Sequence, residues 1–137
     1  MKRTQLGLLL AALIAILATV IFFARAEEEE PIPIEEPPQL THQQKVWMHA
    51  LEWCESRGIP EAVNEEDLDG TPSYGAFQFK PSTLDYFSEK YNVATTSLMD
   101  YESQRSVLEQ MILHRDEIDW YQQFPWCVKK LGPAPAP

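Results

Sequence analysis

Cys54-Glu55-Ser56 and, one loop later, Ser73-Tyr74-Gly75-Ala76-Phe77-Gln78-Phe79 decide how the rest of this chain is read. The first triplet sets an acid at the end of a predicted helix. The second sets a glycine among aromatic residues after a polar loop. Together they suit the presentation of one reactive carboxyl beside a groove.

Upstream of Glu55, Thr41-His-Gln-Gln44 fits a capping box, in which the hydroxyl serves one exposed backbone N–H and the glutamine reaches back to another. The pattern predicts a helix from about Gln43 to Arg57, ended by Gly58 with Pro60 beyond. At about 100° per residue, Val46, Trp47, Ala50, Leu51, Trp53 and Cys54 share one apolar face. Glu52 projects to the polar side near Lys45 and His49, where it is expected to be solvated. Glu55 falls on the margin of the apolar stripe next to Leu51, where desolvation raises a carboxyl pKa as a general acid requires. A purely structural Glu55 would sit in the last helical turn against the helix dipole, a mildly unfavourable place for a negative charge.

Ile59 to Pro72 reads as a loop with Asn64-Glu-Glu-Asp67-Leu-Asp69-Gly70 at its tip. These oxygen-bearing residues match part of a calcium loop, but no glutamate stands at the far ligand position. A turn capped by the Asp side chains is the expectation, with no metal. Tyr74 to Phe79 alternates in a way compatible with a short strand or an extended groove-lining segment. Phe77 and Phe79 are expected in the core, Gly75 is expected to let a ligand or another backbone approach, and Gln78 has the least to gain from a structural role.

Pro81 suits a first helical residue, and Leu84, Phe87, Ser88 and Tyr91 recur at helical spacing. Ser97 to Asp100 leads into a third helix of about Tyr101 to His114, with Val107, Leu108, Met111 and Ile112 inward. Trp120, Tyr121, Phe124 and Trp126 cluster around Cys127, as a core lid or a sugar-stacking surface, the lid being favoured. Scaffold and chemistry separate cleanly here, since these helices carry no reactive pattern.

The two ends fix the compartment. A basic Met1-Lys2-Arg3, an apolar run from Leu6 to Phe23 and Ala24-Arg25-Ala26 form a secretory signal over residues 1–26, or an uncleaved anchor through residues 6–23. Either form leaves Lys2 and Arg3 inside and exports the rest of the chain to the envelope or beyond. Residues 27–40 are a Glu/Pro-rich linker, 41–132 a single domain, and 133–137 a Pro/Ala tail expected to be extended or disordered. The exported part holds 21 acidic and 8 basic residues, a net charge of −13, which excludes nucleic acid as a natural partner. In an oxidising destination the two cysteines, Cys54 and Cys127, are expected to form one disulfide.

Glu55-Ser56 and Gly75-Ala76-Phe77-Gln78 resemble the paired motifs of the lysozyme-like superfamily, specifically soluble lytic transglycosylase domains: a Glu-Ser pair ending a helix, then Gly-x-x-Gln after a loop. With Asn64, Ser73-Tyr74 and the Pro-initiated helix in order, the resemblance covers about Lys45 to Leu131. The family's later Glu-Asn-x-x-Tyr-like segment has only a loose counterpart in Tyr101. The resemblance implies a mainly α, lysozyme-like α+β fold: a small helical domain with a short extended or β segment. It implies a catalytic Glu55, with Ser56, Ser73, Tyr74, Gly75 and Gln78 binding or positioning a peptidoglycan glycan strand. The expected protein is a monomer without cofactor that cuts the β-1,4 bond between N-acetylmuramic acid and N-acetylglucosamine. Two alternatives stand beside it: a lysozyme-type hydrolase with Asp67 or Asp69 as second carboxylate, and a wall-binding module that has lost the chemistry.

Overall fold

Thr41 opens the first helix, α1 (His42–Ser56), through the reciprocal cap that its sequence predicts: Gln44 N donates to Thr41 Oγ1 at 3.3 Å and Thr41 N donates to Gln44 Oε1 at 2.9 Å. The computed structural model describes residues 37–67 and 69–137, and Pro37–Pro137 forms one unit. The signal or anchor of residues 1–26, its apolar run 6–23, most of the linker, and Leu68 lie outside the described residues. Among the described residues no helix is long and apolar enough to cross a membrane.

The buried stripe of α1 is narrower and rotated relative to the predicted face. Gln44, Trp47, Met48, Leu51 and Ser56 are buried, whereas Val46 and Trp53 are exposed at 54% and 60%. The reason is that α1 packs chiefly against the C-terminal helix, so a stripe at i, i+3/4 and i+7 suffices and its neighbours face solvent. Gln44 is tolerated inside because its amide is satisfied, Nε2 donating to the Pro135 carbonyl at 3.2 Å. The helix stops one residue earlier than predicted, at Arg57, whose φ of 60° turns the chain left-handed while its N–H closes on Trp53 O.

Strands β1 (Val63–Asn64) and β2 (Ser73–Tyr74) pair antiparallel, Val63 opposite Tyr74 and Asn64 opposite Ser73. The segment after Tyr74 is a reversal, not the predicted strand. Tyr74 and Phe79 exchange backbone hydrogen bonds of 3.0 Å around Gly75 to Gln78, and both of those end residues adopt positive φ, +79° and +52°. Phe77 and Phe79 are buried as expected.

Helix α2 (Pro81–Tyr91) packs against α3 (Tyr101–Leu113), whose N-terminus is capped by Asp100 accepting from Ser103 N at 2.8 Å. Val107, Leu108, Met111 and Ile112 of α3 are fully buried. Gln104, also buried, reaches from α3 to pin the reversal: its Oε1 accepts from Phe77 N at 3.0 Å and its Nε2 donates to Tyr74 O at 2.8 Å. Gly75 is the residue that allows this. A Cβ there would lie 2.1 Å from Gln104 Nε2.

After a 3-10 turn at Arg115–Glu117 come α4 (Trp120–Gln123) and α5 (Pro125–Leu131), the latter joined to α1 by the Cys54–Cys127 disulfide with 5.8 Å between Cα atoms. The last residues run extended as predicted, yet they are docked. Trp47 Nε1 donates to Gly132 O, Gln44 Nε2 to Pro135 O and Arg115 Nε to Ala134 O, and Ala134 is fully buried. Proline removes donors and leaves every carbonyl free to accept, so side-chain donors from the helices hold the tail. At the other end Leu40 enters the core, so the packed unit exceeds residues 41–132 on both sides. The result is a small, mainly α domain with a two-stranded ribbon and one cross-link.

Candidate functional site

Glu55, one residue beyond Cys54 in the last turn of α1, lines a cleft of about 340 Å³. One wall comes from the loop and reversal: Asn64, Glu66, Asp67, Ser73, Gln78 and Lys80. The facing wall comes from Gln122 to Cys127. The disulfide forms the seam between α1 and that second wall, because Cys54 and Cys127 both border the cleft.

Burial is the main cause that pushes the Glu55 carboxyl from 4.5 up to about 7; the negative charge of Asp67 adds to the rise and the ammonium of Lys130 opposes it. A carboxyl so placed holds its proton near neutral pH and can both give and retake it, the property required of a single acid/base group. Its position on the margin of the apolar stripe turns Glu55 toward the protein, and residues of the loop and of the C-terminal helix complete the environment.

The two loop acids part company. Asp67 lines the cleft and lies 3.7 Å from Lys80 Nζ, while Asp69 pairs with the same lysine from outside the cleft lining. Asp69 Oδ1 accepts from Thr71 N at 2.9 Å, the expected turn cap, and the Lys80 hydrogen bond holds its carboxyl below the ordinary range. Asp69 does not line the cleft, so of the two proposed second carboxylates only Asp67 shares it with Glu55.

The remaining predicted site residues divide between cleft and scaffold. Ser73 lines the cleft and donates to Gln78 Oε1 at 3.0 Å. Gln78 lines it too, but its amide is engaged in structure: Nε2 donates to Gly75 O at 2.8 Å and to Ala62 O at 3.2 Å. The expectation that Gln78 has little structural work is therefore corrected; it templates the reversal. Ser56 is buried, donating to Glu52 O at 3.3 Å and accepting from Ile59 N at 3.1 Å, so it secures the helix end that carries Glu55 and does not line the cleft. Tyr74 and Gly75 also stand outside the cleft lining, and the group that approaches Gly75 is the Gln104 amide.

Glu52 is the second correction on α1. Its side chain is only 15% exposed; Oε2 accepts from Tyr101 OH at 3.4 Å and lies 3.4 Å from His49 Nδ1. The Tyr101 hydroxyl thus bonds Glu52. The aromatic cluster splits as well: Trp120 and Phe124 are buried, but Tyr121 and Trp126 are exposed at 54% and 63%, and Trp126 borders the cleft. The sequence leaves this cluster as a core lid or a sugar-stacking surface and favours the lid, which the exposure of Trp126 does not fit. The signal that finds Trp126 is the disulfide itself, which must bring the neighbours of Cys127 to the neighbours of Cys54.

Among the described residues no group of three or more His, Cys, Asp or Glu is gathered as a metal site would need. Comparison with protein-family models, with curated proteins and with solved structures finds no match to this chain.

Proposed function

We propose that this chain is a peptidoglycan-cleaving glycosidase, a lytic transglycosylase in which Glu55 serves in turn as general acid and general base. The observation that carries the proposal is a half-buried carboxyl with its pKa raised to about 7 at the edge of an open cleft. In this chemistry Glu55 gives its proton to the oxygen of the β-1,4 bond between N-acetylmuramic acid and N-acetylglucosamine as the C1–O bond breaks. The acetamido oxygen of the muramic residue attacks C1 and carries the positive charge as an oxazolinium ion. Glu55, now a carboxylate, removes the proton of the 6-hydroxyl, whose oxygen displaces the acetamido group and closes a 1,6-anhydro ring. No water is consumed, no cofactor is required and one protein carboxyl suffices.

Asp67 favours a second reading, because it borders the same cleft and its charge acts on Glu55. Retaining hydrolases hold their carboxyl groups about 5 Å apart and inverting ones about 6.5 to 9.5 Å. Export through residues 1–26, with attachment to the membrane by residues 6–23 if these are retained, would deliver the domain to its substrate.

Mass spectrometry of sugars released from purified peptidoglycan by the full chain tests both readings. Anhydromuropeptides that disappear in Glu55→Gln are the expected product. Reducing muropeptides would replace the transglycosylase by a hydrolase and turn attention to Asp67. Retained binding to wall with no release would leave a wall-binding module.

A further inference from the structure

Trp126 and Trp53 are the most exposed large apolar side chains among the described residues, at 63% and 60%, and they sit in matching local sequences. Each precedes a disulfide cysteine, and each carries a cation four residues on: Trp53-Cys54-Glu-Ser-Arg57 and Trp126-Cys127-Val-Lys-Lys130. In both cases the cation lies over the indole, Arg57 Cζ at 5.6 Å and Lys130 Nζ at 5.3 Å from the ring centre. Single exposed hydrophobic residues are ordinary, and a helical i, i+4 pairing of this kind is often no more than surface dressing. The two pairs differ in one respect. Trp126 borders the Glu55 cleft and the charge of Lys130 reaches Glu55, while Trp53 takes no part in the cleft lining.

Charge sharpens the distinction. The cleft is bordered by Glu55, Glu66 and Asp67, and its own cation, Lys80, is paired with Asp67 and Asp69. In a chain with a net charge of −10, Lys130 is a cation beside this cleft whose charge is not taken up by an ion pair among the described residues.

We propose that Trp126 and Lys130 form a subsite at the edge of the Glu55 cleft for a pyranose bearing a carboxylate, the indole packing on the ring and the ammonium pairing with the acid. A pyranose presents an apolar C–H face, which gains by covering an exposed indole. A lysine ammonium pairs with a carboxylate through a charge-assisted hydrogen bond that neutral sugars cannot make. The subsite deepens the glycosidase proposal, on which it rests, by naming the two residues that select glycan carrying lactyl or peptide carboxylates over neutral N-acetylglucosamine polymer.

Calorimetric titration of the full chain in its Glu55→Gln form separates binding from turnover. The probes are a neutral N-acetylglucosamine tetrasaccharide, a peptide-free tetrasaccharide of alternating N-acetylglucosamine and N-acetylmuramic acid, the same sugar with its lactyl acids converted to amides, and its peptide-bearing form. Trp126→Ala is expected to weaken all four by about tenfold, with Trp126→Phe recovering most of the loss. Lys130→Met is expected to weaken only the acidic probes, by about fivefold, with Lys130→Arg restoring them. Stronger binding of the peptide-free acid than of the peptide-bearing form assigns the charge to the lactyl group; the reverse order assigns it to the stem. Trp53→Ala, equally exposed and equally capped, is expected to stay within about twofold of the parent.

An unchanged affinity in Trp126→Ala, an equal loss in Trp53→Ala, or a Lys130→Met loss that ignores the carboxylate would each overturn the subsite. The two proposals fail separately. Wall cleavage that is indifferent to Trp126 and Lys130 sinks the subsite and keeps the enzyme. Binding that depends on both residues without cleavage keeps the subsite and sinks the enzyme.

Discussion

The wall from Ser73 to Lys80 and the wall from Gln122 to Cys127 face the same carboxyl and are held by opposite means. In the first, the polar side chains are engaged with one another and with backbone: Ser73 with Gln78, Gln78 with Gly75 and Ala62, and Lys80 with Asp67 and Asp69. In the second, Trp120 and Phe124 anchor a short helical turn in the core, a disulfide ties it to α1, and Trp126 is left in solvent. The difference teaches that a hydrogen-bonded wall sets the cleft's shape, while a covalently tethered wall can leave a large side chain such as Trp126 exposed at the cleft edge.

The tether is where the comparison breaks most visibly. Replacing both Cys54 and Cys127 by serine opens a loop spanning 73 residues, for which the chain-entropy model gives a loss of about 4 kcal/mol. Urea unfolding of the double variant is expected to show a loss of this order, together with loss of cleavage. A loss below about 1 kcal/mol would mean that core anchoring alone holds the second wall.

Glu55 provides the next largest effect, and its sign is opposite. Its folded pKa of about 7 exceeds the 4.5 of an unperturbed carboxyl, so the folded state binds the proton more tightly. The resulting stabilisation is fully present below about pH 4.5, declines as pH rises, and is gone once pH passes about 7. Glu55→Gln keeps the neutral form at every pH. It is expected to match the parent at pH 4 and to be more stable at pH 8, by up to about 3 kcal/mol, as read from thermal midpoints across that range. Cleavage by the parent is expected to fall above about pH 7, where the acid has lost its proton. Equal midpoints at pH 8 would show a solvated carboxyl and remove the electrostatic basis of the site.

Gln78→Ala sharpens the account of the first wall. Removing its hydrogen bonds to Ser73, Gly75 and Ala62 is expected to cost about 1 to 2 kcal/mol in unfolding free energy. Any fall in activity should track that loss and be recovered at lower temperature. A large activity loss at unchanged stability would instead return Gln78 to direct substrate contact, as its sequence motif implies.

How much could be read in advance depends on the range of the forces involved. The Thr41 cap, the Pro81 helix start, the buried face of α3 and the turn chemistry of Asp69 are local, set by residues within a few positions, and the sequence predicts them correctly. The placement of Glu55 at the margin of the apolar stripe was legible for the same reason, since it depends on phase along one helix. The docked tail was not, because polyproline segments have no internal pattern that says whether a distant Trp47 or Arg115 will donate to their carbonyls. Nor was the Gly75 to Gln78 reversal: alternating aromatic and small residues look like a strand until Gln104, from another helix, fills the place of a missing Cβ.

By itself the sequence determined a small helical domain, its cross-link and the helix end that carries one exceptional acid, because periodicity, capping and redox compartment act through short range or composition. Only the tertiary structure decided what surrounds that acid. Asp67 was chosen over Asp69, Tyr101 was given to Glu52, and Trp126 was brought to the cleft edge by packing between segments far apart in the chain, where no local pattern records the partner.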